Sequence, residues 1–444
     1  MTDVEPGVGG HAVRNVTLRV LLRVEHGRRS DRSLDHVLAR HDLDARDRAL
    51  CTEIVYGTLR RQRTLDRTLA RYCRRRFDAL DPPVRVALRM AAYQSACVGS
   101  VPPHAAVHRS VEALKRMLPR ATGIANAVLR AWLRDGGVLD AGDGSPGQCF
   151  DLPDWLAERW GERLKVGGEE WLAATLRPPQ AYLRVSPARA TPEAVVERLA
   201  TAGGHAEVGA RVPGSVRLLD ADREAIGALI EDGVAMPRSE AAQIVTSFLD
   251  TDATPVLDAC SGRGGKARQL AEPGGLVIAV DNHGGRMGAS RKLAERTAAG
   301  RLAWVHADLE AGMPLRRRLT RILVDVPCSG LGTIRRHPEI KWRTTPADLQ
   351  RHAKTQRAIL RTCLGHLEAG GQLLYVTCST EPEENEQLVE SVLAAEPGIV
   401  RNPLTRAPRG CLVDELGDVR TYPEDPELDG FYVARLTRSA SRGS

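Results

Sequence analysis

RILVDVPCSGLGTIRRHPEIKWR, residues Arg321–Arg343, is the stretch on which the fold assignment turns. Ile322 to Val324 is a short apolar run ending in an acid, Asp325. Pro327, Cys328, Ser329, Gly330 and Gly332 follow it and suit a loop. About fifty residues later a second apolar run, Gln372 to Val376, ends in Thr377-Cys378-Ser379. The pattern predicts two strands that deliver two thiols, Cys328 and Cys378, to the carboxyl edge of one sheet, where open α/β sheets place their chemistry. A cysteine is a natural nucleophile because some thiolate is present near neutrality. Either thiol alone could equally be a small buried hydrophobe, but two of them at strand ends beside an acid favour chemistry.

Upstream of this stretch, apolar runs alternate with helical patterns, which predicts a parallel sheet. Pro255 to Leu257 ends in Asp258-Ala259-Cys260, and Ser261-Gly262-Arg263-Gly264-Gly265-Lys266 then turns into a helix. Glycines there let a ligand approach the backbone at a helix N-terminus. Leu276 to Val280 ends in Asp281, an acid suited to ribose hydroxyls, and Leu302 to Val305 leads to Ala307-Asp308, suited to an adenine edge. A glycine turn and two acids make a nucleoside pocket. The turn is neither G-x-x-x-x-G-K-[ST] nor G-x-G-x-x-G, so the expected cofactor is S-adenosylmethionine (SAM), with a dinucleotide as the competing reading.

The 444 residues leave room for two to three domains, each with its own core. From about Val13 to Arg134 apolar residues recur every three or four positions, and Asp81-Pro82-Pro83 and Pro102-Pro103 punctuate the run into short helices. Two arginine clusters, Arg60-Arg61-Gln62-Arg63 and Arg71 through Arg76, read as solvated faces or as a phosphate-binding surface. Asp135 to Gly147 reads as a linker, and the helix and strand signals from Leu152 to about Pro237 as a small α+β subdomain. A net charge of +7 suits a polyanionic partner. The nine scattered cysteines lack any C-x-x-C pair and suggest reduced thiols in a cytoplasmic setting, with no zinc site or disulfide framework. The N-terminus shows no basic leader with an apolar core, and no run of eighteen apolar residues follows, so no membrane association is expected.

The N-terminal segment resembles NusB-like RNA-binding domains. The resemblance rests on Ala49-Leu50 before Glu53-Ile54-Val55-Tyr56-Gly57, on Leu65-Asp66, on Val101-Pro102-Pro103-His104-Ala105-Ala106-Val107 with Val111-Glu112, and on Asn126-Ala127-Val128-Leu129-Arg130. The C-terminal half carries Asp258 to Lys266, Asp281, Asp308, Asp325-Val326-Pro327-Cys328, Arg335-Arg336-His337-Pro338-Glu339-Ile340-Lys341-Trp342, Tyr375-Val376-Thr377-Cys378-Ser379-Thr380-Glu381-Pro382-Glu383-Glu384-Asn385 and Asp429-Gly430-Phe431-Tyr432. Together these resemble the Sun/Fmu (RsmB-type) branch of bacterial 16S rRNA cytosine-C5 methyltransferases. Two places depart from that pattern. Ser261-Gly262-Arg263 stands where the family usually has Ala-Ala-Pro, and Met236 to Ala241 only loosely matches its Gln-Asp-Pro-Ser-Ser segment.

The resemblance implies a multidomain chain: an all-α NusB-like bundle (10–135), a small α+β RNA-binding or linker subdomain (150–237) and an α/β Rossmann-like SAM-dependent methyltransferase domain (238–438). It implies Cys378 as the nucleophile toward cytosine C6, Cys328 in product release, Asp325 on the base edge, and Lys266 orienting Asp325 or the base. Asp258, Cys260, Ser261, Gly262, Arg263, Gly264, Gly265, Lys266, Asp281, Arg286, Asp308 and Asp325 are the expected cofactor set. Arg335, Arg336 and Lys341 are expected on RNA phosphates. The expected substrate is 16S rRNA, without metal, with the chain acting as a monomer. Transfer RNA as substrate, or a NusB-like RNA-binding factor without activity, remain alternative readings.

Overall fold

The computed structural model describes residues 10–140, 142–164, 168–220, 222–251, 255–297 and 301–439. The leader reading of residues 1–9, and residue 141 of the expected linker, lie outside these. The chain divides into two compact units. One holds residues up to Lys165 together with Thr175–Pro178 and Ile334–Arg343, and the other holds the remainder.

The first unit is helical: α1 (Gly10–Glu25), α2 (Ser30–Leu38), α3 (Ala45–Arg60), α4 (Gln62–Ala70), α5 (Pro82–Cys97), α6 (Pro103–Met117) and α7 (Thr122–Arg134). The apolar spacing read from the sequence becomes its core. Val13, Val16 and Val20 of α1, Ile54 of α3, Leu65 and Leu69 of α4 and Trp132 of α7 are fully buried. Asp44 caps α3 by accepting the Asp47 N–H at 2.7 Å. The two proline pairs start α5 and α6, where a missing N–H costs nothing.

Into this unit folds the segment Ile340–Arg343 with the residues just before it. The expectation that Arg335 and Lys341 hold RNA phosphates is corrected here. Both are buried, at 7% and 1% exposure, and their charges meet helix ends. Lys341 Nζ donates to Arg60 O at 3.0 Å and Trp342 Nε1 to Leu59 O at 3.4 Å, satisfying carbonyls at the end of α3. Arg343 donates to Val24 O in the last turn of α1 and to Arg28 O just beyond it. Glu339 accepts the Ser30 N–H at the start of α2 at 2.9 Å. Cations thus sit at helix C-termini and an acid at an N-terminus, the arrangement the helix dipole favours. Arg335 donates to Pro178 O at 3.1 Å, and Arg336 is half-buried. The first arginine cluster is partly structural for the same reason. Arg60 is buried and donates to Arg335 O, and Arg63 is bonded to Leu152 O and Asp154, whereas Arg74, Arg75 and Arg76 are exposed.

The second unit contains two sheets. Strands β1 (Ala181–Val185), β2 (His205–Val208), β3 (Ser215–Asp220) and β4 (Ala235–Pro237) form an antiparallel sheet in the order β2-β3-β1-β4, with the helices Pro192–Thr201 and Arg223–Glu231. The 150–237 segment therefore folds as α+β, yet all but its first part and Thr175–Pro178 clusters with the C-terminal half. The larger sheet comprises β5 (Val256–Ala259), β6 (Leu276–Asp281), β7 (Arg301–His306), β8 (Leu319–Asp325), β9 (Leu367–Thr377), β10 (Ile399–Arg401), β11 (Leu412–Val413), β12 (Val419–Arg420) and β13 (Tyr432–Arg438). Its order is β11-β12-β13-β9-β8-β5-β6-β7, with β10 on β13. Strands β7, β6, β5, β8 and β9 are parallel and β13 runs against β9. Leu257, Ile322 to Val324 and Leu373 to Val376 are fully buried, which is why these strands read as unbroken apolar runs. The chain runs outward from β5 through β6 to β7, then returns to β8 on the other side of β5. The switch point of a doubly wound sheet therefore lies between β5 and β8.

Candidate active site

Asp325 ends β8 opposite Val376 of β9, so the residues after each strand leave the sheet side by side. Val326 N–H bonds to Val376 O at 3.2 Å and Gly332 N–H to Cys378 O at 3.0 Å, tying the two loops together. The loop turns back through Gly330, whose φ of 77° is left-handed. It then passes so close to Gly430 that a Cβ on Gly332 would lie 1.9 Å from Gly430 O. The result brings Cys328 Sγ within 3.1 Å of Cys378 Sγ.

The hydrogen bond with Cys378, together with burial, pushes the Cys328 thiol well above the ordinary cysteine range. The two sulfurs are within hydrogen-bonding distance, and either can donate to the other. Beside them Lys266 Nζ lies 2.5 Å from Asp325 Oδ2 and 5.6 Å over the Phe431 ring. The lysine thus pairs with the acid at the end of β8.

The glycine turn after β5 starts the helix Gly265–Ala271. Cys260, Gly262 and Gly264 all have left-handed φ, of 62°, 57° and 68°. For Cys260 this is a strained conformation that its sequence neighbours did not signal. Gly264 also sits on Trp304, 2.4 Å from where a Cβ would stand. Asp281 accepts N–H bonds from Gly262 at 2.8 Å and His283 at 2.9 Å, which leaves each carboxylate oxygen one further lone pair for a hydroxyl. Arg286 Nε is 4.0 Å from Asp281. Asp308 is exposed after β7, with Oδ1 on the Glu310 N–H. Arg263 is exposed.

The residues present fit SAM. The Ser261 hydroxyl is buried without a hydrogen-bond partner, and Cβ atoms on Gly262 or Gly265 would meet nothing closer than 4.0 Å. A glycine backbone with room beside it and an unpartnered hydroxyl therefore lie at the switch point, with Asp281 and Asp308 following the next two strands, β6 and β7. Burial and the nearby Asp325 raise Asp258 to about 7, so its carboxyl is poised between neutral and charged.

Sequence reasoning assigned no role to Glu384, Gln356, Ser329 or Ser379, although their bonds link the two cysteine loops. Glu384 is among the residues that carry the family resemblance, but with no role of its own. The nearest sequence signal is the serine that follows each cysteine.

A doubly wound sheet with paired thiols and a nucleoside cradle at its switch point, preceded by a helical and an α+β segment, defines a SAM-dependent RNA methyltransferase. The chain belongs to the RsmB/F family of 16S rRNA methyltransferases, whose profile matches residues 247–437. The NusB family profile matches residues 11–134, and that of the RsmF/B-like ferredoxin-like domain residues 152–223. Ribosomal RNA small subunit methyltransferase B of Thermus thermophilus is 34% identical, covering 97% of this chain and 98% of its own. The probable ribosomal RNA small subunit methyltransferase B of a Synechocystis species is 30% identical, covering 92% and 95%. The crystal structure of PH0851 has the same fold over 98% of this chain and 100% of its own, with a TM-score of 0.82 at 21% identity. Among the described residues no helix is long and apolar enough to cross a membrane.

Proposed function

We propose that this protein methylates C5 of a cytosine in small-subunit ribosomal RNA, with Cys378 as nucleophile and Cys328 in product release. The observation that carries this reading is the 3.1 Å approach of Cys328 and Cys378 at the ends of adjacent parallel strands, beside the Asp325–Lys266 pair. The expected cytoplasmic setting and monomeric state go with it.

Cytosine C5 is a poor nucleophile. Addition of the Cys378 thiolate to C6 turns the ring into an enamine and makes C5 reactive, splitting one hard step into easier ones. Asp325, oriented by Lys266, hydrogen-bonds the N3/N4 edge and relieves the charge that develops there. SAM, when bound, supplies the methyl group that C5 takes. Release needs the C5 proton removed, the C5–C6 double bond restored and the Cys378–C6 bond broken. Cys328 is held as a thiol chiefly by its bond to Cys378. Once Cys378 is a thioether that restraint is gone. Cys328 then loses its proton to solvent, accepts the C5 proton as thiolate, and Cys378 departs with the electron pair of its bond to carbon.

The test mixes Cys328→Ala protein with SAM and small-subunit rRNA, on a denaturing gel beside Cys378→Ala and the double variant. A slow-migrating protein–RNA adduct is expected with Cys328→Ala alone, at the cytosine that the wild type methylates. An adduct with Cys378→Ala would reverse the two roles, and the absence of both adduct and methyl transfer would overturn the reading.

A further inference from the structure

Glu384 is fully buried, and none of its hydrogen-bond partners is a cation. Its Oε1 accepts from Ser329 N at 2.8 Å and Gln356 Nε2 at 2.9 Å. Its Oε2 accepts from Ser329 Oγ at 2.5 Å and from Ser379 Oγ. A buried carboxylate is costly unless its lone pairs are filled, and here four neutral donors fill them. Three of those donors sit on the residues that directly follow Cys328 and Cys378. The fourth, Gln356, also donates to Pro327 O at 3.0 Å, just before Cys328. Tyr375 OH donates to Glu384 O at 2.6 Å, anchoring the same residue to β9. One side chain therefore grips both thiol loops from behind.

We propose that Glu384 is a positioning residue for the release step. It locks the Ser329 and Ser379 hydroxyls onto one carboxylate and so holds Cys328 within reach of the Cys378 sulfur. This rests on the reading of the two cysteines given above. The two hydroxyl oxygens lie 3.1 Å apart, the same separation as the two sulfurs one residue earlier in each loop. Without the carboxylate the hydroxyls have no common acceptor, and the loops are free to part. Addition by Cys378 needs only its own loop, whereas release needs both. Loss of Glu384 is therefore expected to fall on release.

The test uses full-length Glu384→Gln, a change that keeps the shape but replaces one acceptor oxygen with a donor. With SAM and small-subunit rRNA it is expected to accumulate the covalent adduct although Cys328 is present, and to turn over about 10- to 100-fold more slowly. In protein alone, diamide oxidation of the Cys328–Cys378 thiols to a disulfide, read as a mass loss, is expected to slow about tenfold against wild type. A merely structural role predicts a lower melting temperature with addition and release reduced alike and no adduct. That result, or an unchanged diamide rate, overturns the proposal. If Glu384→Gln does not fold, Ser329→Ala, which deletes one hydroxyl and leaves the carboxylate three donors, carries the same two readouts. If wild type neither methylates nor forms an adduct as Cys328→Ala, the cysteine reading fails, while the diamide rates still judge the grip of Glu384 on the loops.

Discussion

Lys266 Nζ and Asp325 Oδ2 are 2.5 Å apart, joining the first turn of the helix after β5 to the end of β8 across the switch point of the sheet. The pair is partly solvated, with side chains 13% and 27% exposed, so its net worth to stability is small, about 1 kcal/mol or less. Under the function proposed above its worth to catalysis is larger, because a free Asp325 can rotate away from the base edge. Lys266→Met is expected to lower the single-turnover methylation rate roughly 100-fold while the melting temperature barely moves. Lys266→Arg, which keeps the charge, is expected to recover part of the rate. Equal rates for Met and wild type would remove Lys266 from the mechanism.

Lys341 tests the opposite assignment, a cation that serves the fold. Burial lowers its ammonium to about 8 from 10.5. Between those values the unfolded chain binds more protons than the folded one, so this group makes the wild type gain stability as pH rises through that window. Lys341→Met lacks the effect. Its stability relative to wild type is therefore expected to fall by roughly 2 kcal/mol from about pH 7 to about pH 10, read by denaturant titration. Its rRNA affinity is expected to keep the wild-type salt dependence, whereas loss of a phosphate contact would reduce that slope by about one.

The two lysines show where sequence reading stops. The place of Lys266 beside Asp325 was legible because it follows a glycine turn at a strand end, and a doubly wound sheet gathers strand ends. The parallel strands were legible for a similar reason: Ile322 to Val324 and Leu373 to Val376 are covered on both faces and so carry no polar alternation. Lys341 was not legible, because its charge is satisfied by Arg60 O, 281 residues earlier in the chain, and a sequence displays charges without their partners. Glu384 was missed for the same reason. Its donors Ser329 and Gln356 lie 55 and 28 residues away, so its place in the motif after Cys378 did not show what it binds.

Gly332 is constrained by space alone. A Cβ there would overlap Gly430 O at 1.9 Å, and the neighbours that must yield are backbone: Gly332 N–H holds Cys378 O, and Gly430 N–H holds Gly332 O at 2.7 Å. Gly332→Ala is expected to cost about 2–4 kcal/mol in denaturant unfolding. Below its unfolding transition it is expected to abolish methyl transfer, because the end of β9 moves with the displaced loop. Wild-type activity in a folded Gly332→Ala protein would mean that the loop tolerates a second path.

Asp258, at the end of β5, is fully buried, with the Ala267 backbone N–H facing its carboxyl and no side-chain hydrogen bond. Burial, then repulsion from Asp325, raises it to about 7 from 3.8. The folded protein therefore holds this proton more tightly than the unfolded chain does. The stability that the neutral carboxyl confers is fully present below about pH 4 and is lost as pH rises through about 7. Asp258→Asn cannot ionise, so it is expected to match or trail wild type near pH 4 and to exceed it by up to a few kcal/mol near pH 8, in the absence of SAM. The measurement is the variant-minus-wild-type unfolding free energy across that range. A difference that does not change with pH would mean that Asp258 is already ionised in the fold, stabilised by the nearby Lys266 and Arg238 cations.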